Sequence, residues 1–487
     1  MSIPDAISSH TRDNVVDKHT VRQLLLLFAL TAIVTTLLSY GGIRSPDSEV
    51  VFLTADALAT EGTFGLTKDI PGLKGFGLPE GRDGKYYSIF GPGQSVFAVP
   101  LVKLAHRINE TGWYRSFPDL IPVSHYVGNG LVKYVDGLPV GDPGPHALRT
   151  IVSSFNVVVC SLCACFFFLL VRMMTNSDLA SWLVSILLAF GSLLLPYSGT
   201  FFSEPLATLF VVLSLYCLVW NDVHPGVPDR QKYLSLVSSG IFLGLAMTVH
   251  ISAALYGPFF LAYALYPFLR TERTVQRFLW VAALFSAGIV VFLATLGYYD
   301  YVRFGNIFET GRTASAQLQY AAYVAPWRGL YGLLFGSGKG ILWFCPAVIA
   351  AAVVWRPFHR QYRFLSYTII TAVLFRVFFL ACRSDWHGGF CLGPRYLLMT
   401  IPLLTLPLGI VVAQWVREEN RRKLRYYFVL VFLCVSEQLY FSIGEIFSFL
   451  HTTKWNYSLH GVNVFKRDAL YLDWDKSPLA YLLDYKR

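Results

Sequence analysis

RQLLLLFALTAIVTTLLSYGGIRSPDSE, residues 22–49, is the stretch on which the reading of the fold turns. A hydrocarbon layer takes about 20 apolar residues to cross, and the run from Arg22 to Gly42 supplies them. It is too long for the h-region of a signal peptide, and no small-residue cleavage site precedes the acidic stretch, so it reads as a retained helix. Just beyond Gly41-Gly42 stand two carboxylates, Asp47 and Glu49. Acids placed so near the exit of a first membrane helix call for an explanation.

The rest of the chain extends that reading. Its 487 residues are 54% hydrophobic and 14% charged, with mean hydropathy +0.49; a soluble protein carries roughly 25% charged residues. The expected class is an all-α polytopic membrane protein. Net charge is +10, which basic cytoplasmic loops explain without invoking nucleic acid. Six of the eight cysteines (Cys160, Cys163, Cys165, Cys217, Cys345, Cys434) lie in apolar runs and read as small packing residues. Cys382 and Cys391 share one polar loop, and the sequence leaves open whether they pair.

Hydropathy gives about eleven spans: 22–42, 149–171, 179–197, 201–220, 233–250, 252–269, 278–298, 340–355, 363–381, 396–416 and 426–446. The basic residues of the short loops, from Arg172 through Arg230 and Lys232, Arg270 to Arg277 and Arg356 to Arg363, to Arg417–Arg425, fall on one side. That side is expected to be cytoplasmic, together with the N-terminus, in a plasma (inner) membrane. An odd span count puts the tail 447–487 outside, apart from a transmembrane domain covering 1–446. The same parity places outside the loop 43–148, the segment 299–339 and the turn 382–395. Phe97 to Ala105 is apolar enough to lie in the membrane face, and if 92–107 spans, the parity after it reverses.

Five groups carry chemistry. Asp47 and Glu49 in D-x-E spacing share a face if that segment is extended, and so suit one ligand, one metal or general-base duty; the alternative is a solvated Ser-Pro-Asp turn. RDGKYYSIFGPGQ, 82–94, sets Lys85, Tyr86 and Tyr87 before a Gly-Pro-Gly bend, with charge for a phosphate or simply a surface turn. Glu204 opens the span at TFFSEPLATL, where an ionisable group is expensive and faces a cavity or a partner; His250, also at a helix end, reads as a packing histidine. Lys339, in Gly-Ser-Gly-Lys-Gly, combines free backbone N–H groups with a full charge, which suits an anion; it is not a Walker A loop. Last, CRSDWHGGFCLGPRY gathers Arg383, Asp385, Trp386, His387 and Arg395; a guanidinium at that position forks onto a phosphate or snorkels at the interface.

The acid after the first span, Tyr-Tyr-Ser-x-x-Gly-Pro-Gly, the Gly-Lys-Gly turn and Trp-His-Gly-Gly…Gly-Pro-Arg-Tyr together resemble the GT-C superfamily. Within it the chain is similar to bacterial relatives of protein O-mannosyltransferases and to the lipid A aminoarabinose transferase, over residues 22–446. The resemblance implies a GT-C-like bundle with a long first extracytoplasmic loop. It also implies an inverting glycosyltransferase that moves a sugar from a polyprenyl-phosphate carrier to an acceptor at the outer membrane face. Asp47 would be the general base and Glu49 a less secure second acid. Lys85, Lys339 and Arg395 would neutralise the donor phosphate, and Tyr86, Tyr87, Glu204, Trp386 and His387 would line the substrate pocket. The implied partners are a polyprenyl-phosphate-linked sugar, membrane lipid and an acceptor of unstated kind. No cofactor is expected: a divalent metal at Asp47 and Glu49 is chemically feasible but not favoured. The chain departs from protein mannosyltransferases in lacking an Asp-Glu doublet after span one.

Three rivals remain at this stage. A transporter or lipid flippase also places charge in broken helices, although spans two to six are almost uniformly apolar. A scaffolding protein predicts no cost to losing Asp47. A glycan ligase or polymerase would use a diphosphate-linked carrier and a late external loop.

Overall fold

The computed structural model describes residues 17–39, 41–68, 70, 73, 77–121, 144–271, 274–312, 323–389 and 391–443, with short pieces in 126–139 and 469–480. The expected tail 447–487 and part of the expected loop 299–339 therefore fall largely outside the described residues.

Each of the eleven apolar stretches is helical, but not as eleven equal rods. The longer helices, in chain order, are α1 (Lys18–Leu38), α2 (Pro46–Thr60), α3 (Gly93–Glu110), α4 (Gly144–Ser153), α5 (Phe155–Thr175), α6 (Asp178–Phe190), α7 (Glu204–Val223), α8 (Asp229–Val249), α9 (Gly257–Thr271), α10 (Val275–Phe304), α11 (Pro326–Leu334), α12 (Arg363–Ala381), α13 (Ile401–Arg417) and α14 (Arg421–Ile443). Eight segments are long and apolar enough to cross a membrane: α1, α4–α5 together, α7, α8, α10, α12, α13 with its preceding 3-10 turn, and α14. The stretches predicted at 179–197 and 252–269 are shorter helices, α6 and α9. The stretch 340–355 is broken into Ile341–Phe344, Ala347–Val353 and the start of Trp355–Gln361. Pro346 stands at the break before Ala347–Val353, where proline has no N–H to continue a helix.

The core is one apolar cluster built from α5 to α9 and α12 to α14, whose buried members include Phe167, Leu187, Val211, Leu243 and Leu406. The outer helices α1 and α10 bury little of their apolar surface, as expected of helices facing lipid. One pole of the bundle collects the basic loops. Arg172 Nε lies 2.6 Å from Asp178 Oδ1, Gln23 donates to the same carboxylate, Arg417 donates to the Thr175 carbonyl, and Tyr362 Oη donates to the Met174 carbonyl. The positive side inferred from loop composition is thus a physical cluster.

At the other pole the first loop is folded. Val51, Phe52 and Ala55 of α2, Ala98, Val102 and Ala105 of α3, and Leu148 and Val152 of α4 share a second apolar cluster with Phe201. Residues 92–107 lie almost wholly within α3, which packs on α2 and α4 and is not among the helices apolar enough to span. The Gly-Pro-Gly bend has a steric reason. A Cβ on Gly93 would stand 2.6 Å from Thr248 Oγ1 and one on Gly91 would overlap the Thr248 carbonyl, so only glycines let α3 begin against the end of α8.

Candidate active site

The segment carrying the two acids is helical, which corrects the expected pairing. Ser45 stands at the N-cap, Pro46 at the first turn, and Asp47 and Glu49 follow in that turn. Proline there gives up an N–H that is orphaned in any case, and carboxylates favour the positive helix end. Residues two apart on a helix are rotated by about 200°, so the two carboxylates diverge instead of sharing a face. Glu49 is fully buried and taken by Arg149: Nε to Oε2 at 2.9 Å and Nη2 to Oε1 at 2.5 Å. The guanidinium also lies over the Phe52 ring and donates to the Pro145 carbonyl. Glu49 thus ties α2 to α4 and is not beside Asp47.

Asp47 meets Arg395 instead, with Oδ2 2.6 Å from Nη2. Glu204, first residue of α7, brings Oε1 to 3.5 Å from the same residue's Nε. The second acid beside Asp47 is therefore Glu204, from a different helix. Its Oε2 and Arg395 Nε are buried without a hydrogen-bond partner among the described residues. The Arg395 guanidinium lies over the rings of Phe202 and Tyr396, 4.9 and 5.1 Å from their centroids.

Each of these side chains is positioned by backbone that the sequence pins down. Asn156 donates to the carbonyls of Thr200 and Phe202, both at 2.8 Å, and Gln94 to that of Phe201 at 2.8 Å; together they fix the loop that delivers Glu204. Pro196, residues 199–202 and Gly42, Arg44, Ser45 and Ser48 line one cleft; Ser48 follows Asp47 in the chain, and Phe202 lies under the Arg395 guanidinium. The loop carrying Arg395 is held from two sides, by Tyr197 Oη donating to the Leu392 carbonyl at 2.7 Å and by Lys339. Gly388, at φ +69°, leaves room for the Arg395 side chain: a Cβ there would stand 3.1 Å from its Cγ.

Lys339 is buried, with Nζ 2.9 Å from the Gly389 carbonyl, 2.6 Å from that of Cys391 and 3.1 Å from Cys391 Sγ. Burial pushes its pKa below the ordinary lysine value, with the Cys391 sulfur opposing. Its three hydrogens go to the loop before Arg395, where the sequence expected an ammonium presented to an incoming phosphate. Cys382 and Cys391 are both free thiols. Trp386 and His387 are buried too, and the His387 ring is stacked 4.2 Å from that of Tyr471. Tyr86 and Tyr87 sit in a separate turn. Tyr87 Oη donates to Asp83 at 2.7 Å, and burial, more than that bond, pushes the phenol up to about 12. Leu66 and Glu80 bridge to Tyr86. Among the described residues Lys85 has no hydrogen bond or ion pair to Asp47 or Arg395.

Two polar residues, Arg376 and Ser252, escaped the sequence reading, and they connect to His250, which it took as a packing histidine. Arg376 lies inside an apolar span, fully buried, and donates to the carbonyls of Ser252 and Tyr396 and to Ser252 Oγ. Ser252 Oγ lies 2.7 Å from His250 Nδ1, and His250 Nε2 lies 4.0 Å from Glu204 Oε1. A guanidinium in the middle of a span was the available pointer.

Residues 149–308 match the model of the dolichyl-phosphate-mannose-protein mannosyltransferase family. No curated protein matches the chain in sequence. Among solved structures, ArnT from Cupriavidus metallidurans bound to undecaprenyl phosphate is 11% identical, with TM-score 0.51 over 96% of this chain and 78% of that one. The apo ArnT structure is 14% identical with TM-score 0.47; the match covers 80% of this chain and 59% of that one, so the chain spans well under two thirds of it. The S. cerevisiae protein O-mannosyltransferase complex bound to the sugar donor is 14% identical with TM-score 0.37, over 63% and 36%. The partial family match, the superposition over nearly the whole chain and the apolar helices agree: the chain is a multi-pass membrane protein whose residues 149–308 are similar to the protein mannosyltransferase family and whose fold resembles that of ArnT.

Proposed function

We propose that this chain is an inverting glycosyltransferase that transfers a sugar from a polyprenyl-phosphate carrier to an acceptor at the outer face of a plasma membrane. The observation that carries the reading is the Asp47–Arg395–Glu204 cluster. Two carboxylates and one guanidinium converge at the pole opposite the basic loops, with the guanidinium over Phe202, a residue that lines a cleft. Loop charge assigns that pole to the outside, with the N-terminus cytoplasmic and the tail extracytoplasmic.

In this reading the donor's phosphate enters as a second anion for Arg395, which holds it through a forked, charge-assisted contact. Asp47, released from its ion pair, takes the proton of the acceptor hydroxyl. That oxygen bonds to the anomeric carbon as the bond to the phosphate oxygen breaks, so the configuration inverts and the polyprenyl phosphate departs with both electrons. Arg395 stabilises the charge that develops on it, a contribution of several kcal/mol when preorganised in a dry site. Lys339 serves by fixing the loop that aims Arg395, and Glu204 by holding the other side of the guanidinium. The route draws on no divalent metal. Glu49, which the sequence paired with Asp47 as a feasible metal site, is engaged by Arg149.

Asp47→Asn tests the reading, because it is nearly isosteric and removes the base. With polyprenyl-phosphate mannose as probe donor, transfer should be lost while folding and binding of undecaprenyl phosphate persist. Wild-type transfer in the variant would overturn the assignment. Lipid extracts of a strain lacking the gene should accumulate a single-sugar carrier; a long glycan carrier would favour a ligase.

A further inference from the structure

The polar side chains behind the cluster form a chain from Arg376 through Ser252 and His250 toward Glu204. Arginine has hydrogens to give and no lone pair to accept with. Arg376 Nη2 donates to Ser252 Oγ at 3.0 Å, so the serine oxygen is the acceptor there. Its own hydrogen can then go to His250 Nδ1, 2.7 Å away; the other arrangement has Nδ1–H donating to the serine's second lone pair. A ring nitrogen that accepts is bare, which in a neutral imidazole leaves the hydrogen on Nε2. That edge of the ring faces Glu204 at 4.0 Å, a buried residue whose Oε2 has no hydrogen-bond partner among the described residues.

We propose that His250 is a positioning residue: Arg376 and Ser252 hold it as the Nε2–H tautomer, and it presents that hydrogen to Glu204, keeping the carboxylate on Arg395 and Arg395 aimed at the phosphate position. The inference rests on the reading of Arg395 as the donor-phosphate ligand. The groups facing His250 are Glu204 from α7, Arg395 and the Tyr396 ring from the turn before α13, Arg376 from α12 and Ser252 from its own segment, with Arg312 and Arg383 farther out. Burial first, then Arg376 and Arg395, holds its pKa well below the ordinary histidine value, so the ring is neutral and its tautomer is a meaningful variable.

The test uses the full-length protein in detergent and undecaprenyl phosphate as the probe. His250→Leu should weaken binding about tenfold, the size of one lost polar contact to a buried charged group. His250→Gln, whose amide nitrogen reaches the Nε2 position, should restore binding to within about threefold of wild type. A merely structural role would lower the thermal stability of both variants without this rescue. Equal binding by wild type and His250→Leu, or an equal defect in both variants, overturns the inference. NMR of isotope-labelled histidine reads the tautomer without any lipid. A protonated Nε2 with a bare Nδ1 is expected, and a protonated Nδ1 overturns the inference whatever the lipid data show. If wild type itself fails to bind the probe, it is the donor reading that falls, and the tautomer measurement still decides the hydrogen-bond assignment.

Discussion

Removing Glu49 and removing Asp47 should have opposite signatures although the two stand two residues apart. Glu49 is wholly inaccessible, and its partner Arg149 is almost as deeply buried, with two parallel bonds at 2.9 and 2.5 Å. Breaking such a pair from one side costs about 3–5 kcal/mol, because it strands a charge away from water. In Glu49→Ala the guanidinium keeps the Pro145 carbonyl and the Phe52 face, so the loss should fall near 3 kcal/mol, the lower end of that range. Glu49→Gln, which retains an acceptor, should lose less. Denaturant unfolding in mixed micelles would read the loss, and the Glu49→Ala/Arg149→Ala double variant should be far less unstable than the sum of the singles. Undecaprenyl phosphate binding should survive wherever the protein remains folded. If Glu49→Ala unfolds like wild type yet loses transfer, the structural account of Glu49 is wrong and the acid belongs to the chemistry.

Asp47→Asn should lower transfer by about 10²–10⁴-fold, the usual worth of a positioned base, measured as turnover of polyprenyl-phosphate mannose. Arg395→Lys should weaken undecaprenyl phosphate binding about tenfold or more, because an ammonium cannot form the fork; titration by intrinsic fluorescence would show it. Lys339→Met should loosen the loop 389–391 and expose Cys391, detected as faster maleimide labelling in a Cys382→Ser background, with no labelling change expected at the apolar cysteines. Stability should fall as pH drops below about 6.5, the unfolded histidine value. The folded His250 stays neutral there while the unfolded chain binds the proton, so the loss approaches about 1.4 kcal/mol per pH unit for that one group. His250→Gln should remove about 1 kcal/mol of the stability difference between unfolding curves at pH 5.5 and 6.5, since the unfolded histidine is only half protonated at the upper pH.

The apolar runs made the membrane bundle legible, since length and hydropathy alone dictate where a chain can cross. The gathering of basic short loops at one pole was legible too, as the Arg172, Asp178 and Arg417 cluster shows. What escaped was local and tertiary. Pro46 with two acids behind it is a helix start, but the same letters spell a turn, and that ambiguity paired Asp47 with the wrong partner. Glu204 was noticed for its position, yet nothing in one sequence joins it to Asp47 across more than 150 residues. Lys339 shows the reverse case, for a lysine among glycines looks unengaged in sequence while three acceptors surround it in the fold. Arg376 was hidden by the length of its own hydrophobic span.

The central claim is that Arg395 exchanges Asp47 for the donor's phosphate. A structure of the protein in a lipid nanodisc with undecaprenyl phosphate measures that exchange directly. The account predicts phosphate oxygens at charge-assisted hydrogen-bond distance, about 2.7–2.9 Å, from the Arg395 guanidinium, with the Asp47 carboxylate detached and facing the cleft. A bound phosphate remote from Arg395, with the 2.6 Å Asp47–Arg395 pair intact, would contradict it.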